Sequence, residues 1–412
     1  MSTDHEFDVN RHPATQIFVW SGFVWRLGAL SYWTLFFVRV VVDIHLSPIE
    51  LVLLGTAKEV TILLAEIPTG VVADLRSRRL SVIIGFVLCG TAIVGAGLAE
   101  SFVLLIFTQI LWGFGLTFRS GAETAWFTDE IGSVDVVDSV LPRRARFESA
   151  GSIFGVMITA TFASLVGLSI ALVAVGTVLI SWGIGLAFRM AETGFIRPDT
   201  PTRTRFRELL AEGFRASRRP ALRILLIATV LTGFASEAVD RLNVAQLDQI
   251  GLPQAIDAAL VIGAVVVIQS VGSILILFMF GRRLAGQSLV YSLVALHSVT
   301  AVGVVILARA DVLVAALVGL LTAGMARDVA RTVSVGWTNH FTHKTNRATV
   351  HSFVGQAMSL GEISGGLVLG LIAQQFGLST AITISAAIYL VAAGVASLGK
   401  SRWSAPAELR QT

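Results

Sequence analysis

The sequence predicts an all-α membrane protein of twelve transmembrane helices, built as two pseudo-symmetric six-helix bundles with both termini cytoplasmic. Three observations lead there. The 412 residues are 54% hydrophobic and only 14% charged, against about 25% charged in soluble domains. Apolar runs long enough to cross about 30 Å of hydrocarbon recur along the whole chain. The two halves also repeat one another at an offset of a little over 200 residues.

The runs place spans at about 16–41, 48–72, 80–99, 102–123, 142–166, 168–190, 222–245, 254–280, 286–308, 311–334, 347–376 and 378–399. They are far longer than the roughly 10-residue alternating segments of a membrane barrel, so the backbone must satisfy itself within helices. Ser47, Pro48 and Glu50 supply a capping serine, a first-turn proline and a reciprocal glutamate for the second span. Pro142 and Pro253 are expected to open the fifth and eighth spans, and Pro68 to kink the second. Gly167 and the stretch Ala99–Ser101 make very short links on one side. The single cysteine, Cys89, lies in an apolar run and excludes an internal disulfide or a thiolate cluster.

Charge orients the spans. With the N-terminus inside, 25 of the 31 basic residues fall in inner segments, among them Arg76, Arg78, Arg79, Arg143, Arg144, Arg327 and Arg331, while the outer side holds Arg241 and Arg309. The net charge of +4 and isoelectric point near 9.7 are therefore topological, with no nucleic-acid partner expected. The N-terminus is polar and lacks the basic start of a secretory signal, so the first span is expected to remain. The protein is expected in the cell membrane.

Residues 191–222 are polar, basic and proline-containing and divide the chain into bundles 1–190 and 223–412. Within this linker, residues 206–214 suit a short amphipathic helix on the anionic inner leaflet. Ser77, Arg78 and Arg79 before the third span match Gly281, Arg282 and Arg283 before the ninth, and Pro48 matches Pro253. A duplicated six-helix unit of this kind suits alternating access by rocking halves.

Residues 70–79, GVVADLRSRR, set a carboxylate among arginines between the second and third spans. With its neighbours the stretch resembles the loop motif G-x-[apolar]-A-D-[RK]-x-G-R-[RK] of the major facilitator superfamily, matching at Gly70, Ala73, Asp74, Arg78 and Arg79 and departing at Leu75 and Ser77. The resemblance implies the superfamily's transporter fold over essentially the full length, and a cytoplasmic gate. In that gate Gly70 permits close helix approach, Asp74 faces the N-terminus of the eleventh helix, and Arg78 pairs with Glu123 or Asp129. Residues 119–130, RSGAETAWFTDE, and 66–70, EIPTG, are similar to bacterial drug-efflux members. Against that likeness, Gln109 stands where many proton-coupled exporters carry arginine, and the fifth span lacks the glycine–proline pair of antiporters.

Charges at depth cost about 2.5 to 3.5 kcal/mol on insertion scales and mark candidate substrate or proton positions. These are Arg26, Lys58, Glu59, Glu66, Arg119, Glu237, Asp240 and Glu362. Arg26 is placed to pair with Glu59, and Asp240 either serves a cationic substrate or neutralises Arg241. Arg39 and Asp43 form an i, i+4 pair, and Phe23, Trp25, Trp33, Phe36 and Phe37 could line a drug cavity. The histidines show no metal-ligand spacing, no nucleophile–base set or phosphate loop points to an enzyme, and neither metal nor organic cofactor is expected.

The functional expectation is a secondary transporter, proton-driven, exporting hydrophobic or cationic drugs. A symporter importing a small polar or anionic nutrient is the rival, and a non-transporting sensor or membrane enzyme the reading from another class. Expected partners are a small-molecule substrate, protons and membrane lipids, with the chain acting as a monomer.

Overall fold

The computed structural model describes residues 9, 11–195, 220–253, 255–284, 289–340 and 347–399. Among them there are only helices and their links. These are α1 Pro13–Val38, continued by a π-helical turn Arg39–Asp43, then α2 Pro48–Leu75, α3 Arg78–Leu98, α4 Phe102–Ser120, α5 Ala122–Ile131, α6 Val134–Val166 and α7 Leu168–Arg189. The later helices are α8 Pro220–Ile250, α9 Ala255–Leu284, α10 Leu289–Arg309, α11 Leu313–His340, α12 Arg347–Phe376 and α13 Leu378–Ser397.

Eleven described segments are long and apolar enough to cross a membrane, with α4 and α5 together forming one of them. The twelfth crossing is α2, whose 28 residues spread Glu50, Lys58, Glu59, Glu66 and Asp74 along its length and so dilute its apolar character. Its start is built as the sequence demands: the Glu50 carboxylate accepts from the Ser47 backbone N–H at 2.8 Å and from the Ser47 hydroxyl at 2.7 Å.

One boundary departs from expectation, at Pro142, which was read as a start. The fifth span begins at Val134 and carries Pro142 inside its helix, so Arg143, Arg144 and Glu148 lie on helix rather than at its mouth. A first-turn proline is tolerated because its missing N–H is unneeded there; at Pro142 the helix has already run eight residues. The amphipathic stretch 206–214 lies outside the described residues.

Contacts divide the chain into two compact units. Unit 1 is Met1–Arg39, Leu64–Asp199 and Ala255–Val267; unit 2 is Val40–Leu63, Thr200–Gln254 and Ile268–Thr412. The first halves of α2 and α9 thus each pack with the unit opposite to the rest of their helix. The cut in α2 falls at Leu64, whose carbonyl lacks a donor because Pro68 has no N–H.

Each unit uses the same pairings, as a duplication requires. In unit 1, α1 packs on α6 and α7, and α3 packs on α4 and α7. In unit 2, α8 packs on α12 and α13, and α10 packs on α11 and α13. The third and fourth spans meet through Gly85 and Gly115, where an added Cβ would lie 2.8 Å and 3.0 Å from the other's carbonyl oxygen. The ninth and tenth meet through Gly303 and Gly319, at 2.7 Å both ways. Without a hydrophobic drive between helices in lipid, this closeness is what lets dispersion hold them. The hairpin turns repeat as well: Gly167 at φ 91°, ψ 159° and Gly377 at φ 87°, ψ 159° occupy backbone conformations that side chains strain.

Arg39 has partners beyond its own helix. Its guanidinium donates to the carbonyls of Ala96 and Ala99 at 3.1 and 2.7 Å and to Ser169 at 3.0 Å. It caps the C-terminus of α3, where a cation opposes the helix dipole.

Expected outcome: Gly303→Val forces the α10–α11 backbones apart and destabilises unit 2 by about 1 to 3 kcal/mol, read as a lowered Tm of the detergent-solubilised protein. Gly70→Ala, with nothing within 4 Å of the added carbon, serves as a control that leaves Tm unchanged.

Candidate functional site

Three charged constellations stand out, two in unit 1 and one in unit 2. The first is the 70–79 motif. Ser77 caps α3, accepting from the Leu80 N–H at 2.9 Å and donating to Glu192 at 2.6 Å; this is the chemistry gained by replacing the family's glycine. Arg78 is the hub, reaching Asp129 at 2.5 Å, the Ala125 carbonyl at 3.0 Å and Asp74 at 3.4 Å. Asp74 keeps 36% of its side chain exposed and Asp129 23%. Arg79 donates to the Ala187 carbonyl at 2.5 Å and so caps α7, while Arg76 is exposed and Ala73 buried. Gly70 has open space around its Cβ position, so close helix approach is not what it serves there.

The second constellation centres on Glu123, which lies away from Arg78. In the first turn of α5, where a carboxylate favours the helix dipole, one oxygen of Glu123 accepts from Arg119 and from Arg144, both at 2.8 Å. Arg144 also donates to Glu148 at 2.8 Å. Both guanidinium groups lie over aromatic faces, Arg119 over Trp25 and Arg144 over Phe18, each 3.9 Å from the ring centroid. Phe18 in turn stacks on Phe127 at 4.2 Å. Arg119 is therefore locked among partners. Gly22 leaves room for the chain above it, since a Cβ would press on Glu148 at 3.0 Å. Of the aromatic residues read as a drug-cavity lining, Trp25, Phe36 and Phe37 are core, with Trp25 stacked on Trp112 at 5.5 Å, while Phe23 and Trp33 are half-buried. Gln109 donates to the Tyr32 hydroxyl at 2.7 Å within that core.

The third constellation lies in unit 2 and joins α2, α8 and α12. Lys58 pairs with its neighbour Glu59 at 2.5 Å. The other Glu59 oxygen accepts from Ser359 at 2.9 Å, and Glu362, one turn further along α12, lies beside Glu59. Glu237 is clasped by Arg241 through two bonds of 3.0 and 3.2 Å. Glu59 is 4%, Glu237 2% and Arg241 6% exposed, so the charges must satisfy one another. Glycines admit the cluster: a Cβ on Gly55 would strike the Arg241 guanidinium, and one on Gly366 would meet Thr56 at 2.8 Å and Glu237 at 3.8 Å. Gly361 and Gly365 bring α12 against the α8 backbone at Val230 and Phe234.

Other candidates fall elsewhere. Arg26 is exposed and donates to Ser152 of α6 at 3.2 Å; it belongs to unit 1 and Glu59 to unit 2. Glu66 is half-buried. Asp240 binds Arg327 at 2.6 and 2.8 Å, while the hydrogen bonds of the Arg241 guanidinium go to Glu237. Arg327 and Arg331 were counted with the inner loops, yet α11 runs on to His340 and carries both inside the helix. The signal available in the sequence was Asp328, an acid beside Arg327 that a loop of topology markers does not need; it accepts from Gln269 at 2.9 Å and Ser273 at 3.3 Å.

A multi-span helical bundle of internally paired charges, with duplicated helix pairings and glycine-lined crossings, defines a membrane transporter fold. The family model described as Major Facilitator Superfamily matches residues 18–355, and the chain belongs to that family. Among solved structures it is similar to the nucleoside transporter NupG, at 13% identity and TM-score 0.73 over 95% of this chain and 100% of that one. It is also similar to a bacterial homologue of the human lysosomal transporter Spinster, at 15% and 0.73 over 95% and 98%, and to a D-xylose-proton symporter, at 13% and 0.72 over 97% and 99%. No curated protein sequence matches it.

Expected outcome: Glu123→Ala leaves the buried Arg119 guanidinium without a carboxylate and Arg144 with Glu148 alone, and costs about 3 to 5 kcal/mol, seen as loss of folded protein on size-exclusion chromatography or a sharply lower Tm. Asp129→Ala, at a partly exposed pair, costs less than about 1 kcal/mol.

Proposed function

We propose that the protein is a secondary active transporter that couples proton movement to the passage of a small solute by alternating access. The observation that carries this is the buried cluster of unit 2. Three carboxylates, Glu59, Glu237 and Glu362, share two cations, Lys58 and Arg241. Glu59 and Glu362 lie side by side in this buried cluster, and two carboxylates that close repel one another, so we infer that one of the two holds a proton. A site that holds one proton in this state and must release it when its helices part is a coupling device.

The direction and class of solute follow from what the charges do. Export of hydrophobic or cationic compounds calls for carboxylates or aromatic faces open to the substrate. Here Glu59, Glu123, Glu237 and Asp240 each take a basic partner, and the aromatic residues of α1 stack among themselves and on Trp112. Symport of a small polar or anionic solute is the reading this geometry supports better. The functional halves on this reading are 1–190 and 223–412, joined by 191–222, with both termini cytoplasmic. The chain acts as a monomer in the cell membrane and uses the proton gradient without a cofactor. The Arg78 hub, with Asp74 and Asp129, is the gate on the cytoplasmic side.

Proteoliposomes with an imposed proton gradient test this. Solute uptake with parallel proton flux is the expected result, and Glu362→Gln is expected to abolish gradient-driven accumulation while exchange of labelled for unlabelled solute continues. Efflux against the gradient restores the drug-export reading, and absence of any flux favours a sensor or an enzyme. Asp74→Asn should insert normally and cut transport about tenfold or more, an interaction of a few kcal/mol lost from one conformation; near-normal flux removes Asp74 from the gate.

A further inference from the structure

Unit 2 also contains a cavity of ≈ 200 Å³ that the carboxylate cluster does not use, with His297 of α10, Arg327 and Arg331 of α11, and Tyr389 of α13 among its lining residues. Its polar atoms sort into those already committed and those available to a ligand. The hydroxyls of Thr229, Thr232 and Thr338 donate to carbonyls of their own helices. Arg327 is held by both oxygens of Asp240. His351 meets Asn339 at 2.8 Å.

Four groups remain, the Ser334 hydroxyl and three larger side chains. Arg331 is exposed toward this space and makes no hydrogen bond or ion pair among the described residues. His297 is only 7% exposed, and its Nδ1 has no hydrogen-bond partner. Tyr389, 2% exposed, lies with its ring 6.4 Å from that of His297. A guanidinium carried on a spanning helix is costly unless it meets an anion or water, and a buried ring nitrogen left unbonded costs about 1 to 3 kcal/mol. Ala330, Val335, Val354 and Met358 supply the apolar remainder of the wall. Concave, largely apolar and furnished with a few convergent donors, the space has the make-up of a small-ligand site.

We propose that this cavity is a subsite for the acidic group of a small organic anion, with Arg331 as its counter-ion, His297 and Tyr389 as hydrogen-bonding partners, and Arg327 kept in position by Asp240. The guanidinium fork fits a carboxylate or a phosphate alike, and the valine and methionine wall suits a short hydrocarbon skeleton. The proposal rests on the transport reading above and narrows its solute to an anion. It also gives α8 two tasks: Glu237 and Arg241 belong to the proton cluster, while Asp240 holds the arginine beside the subsite.

The test is a binding measurement on the purified full-length protein in detergent, with no gradient. Benzoate, succinate, glycerol 3-phosphate and inorganic phosphate are compared with benzamide, succinamide, glycerol and benzylamine by thermal shift and then calorimetry. At least one anion is expected to raise the Tm while its neutral counterpart and benzylamine do not. Arg331→Gln is expected to weaken that anion roughly tenfold or more, Arg331→Lys to retain part of the affinity, and both to elute as wild type on size exclusion. A carboxylate responding without phosphate assigns the acid as a carboxylate, and the reverse assigns a phosphate. The subsite is refuted if no anion binds, if Arg331→Gln binds as tightly as wild type, or if benzylamine binds best; proton-coupled flux would still stand in those cases. Anion binding through Arg331 without any proton-coupled flux would instead keep the subsite and remove the coupling.

Discussion

A carboxylate inside a membrane helix bundle must meet a cation or a proton, because the interior offers neither water nor a dielectric able to screen it. That constraint orders this molecule. Glu123 draws Arg119 and Arg144 together, Glu237 holds Arg241, Asp240 holds Arg327, and Glu59 takes Lys58. The glycines of α1, α2 and α12 sit where these side chains need room. Packing and electrostatics are thus one problem here: Gly55 is a space for a guanidinium, and Gly366 a space beside a carboxylate.

The two units meet the constraint in different ways. In unit 1 basic and acidic groups balance around Glu123, and aromatic faces cover the guanidinium groups, which suits a rigid anchor. In unit 2 carboxylates outnumber cations in the buried cluster, and on the proposed reading the excess is met by a proton held between Glu59 and Glu362, which lie side by side. A balanced cluster resists change, whereas one completed by a proton responds to the proton's departure. Functional asymmetry on a duplicated scaffold follows from the chemistry of a few side chains.

Much of the scaffold was legible in the sequence because hydrocarbon thickness sets span length and arginines mark loops. The capping box at Ser47 and the tight turn at Gly167 could be read locally. The repeat that pairs Gly85–Gly115 with Gly303–Gly319 could be anticipated only as a duplication. Side-chain partners were harder. Arg144 and Arg327 were read as topology markers because both lie near span ends in sequence, and only the extra turns of α6 and α11 place them inside. Asp240 beside Arg241 suggested a neighbourly pair, but successive residues on a helix point about 100° apart, so Asp240 turns to α11 and Arg241 to Glu237. The aromatic run of α1 was ambiguous because core and cavity rings have the same composition.

The central claim is that one proton resides between Glu59 and Glu362. Infrared difference spectroscopy of the purified protein reads it directly. A protonated-carboxyl C=O band that shifts in D2O, is lost at high pH and is missing in both Glu59→Gln and Glu362→Gln is the predicted result. A spectrum in which that band is absent from the wild type, or persists unchanged in both variants, would contradict the account.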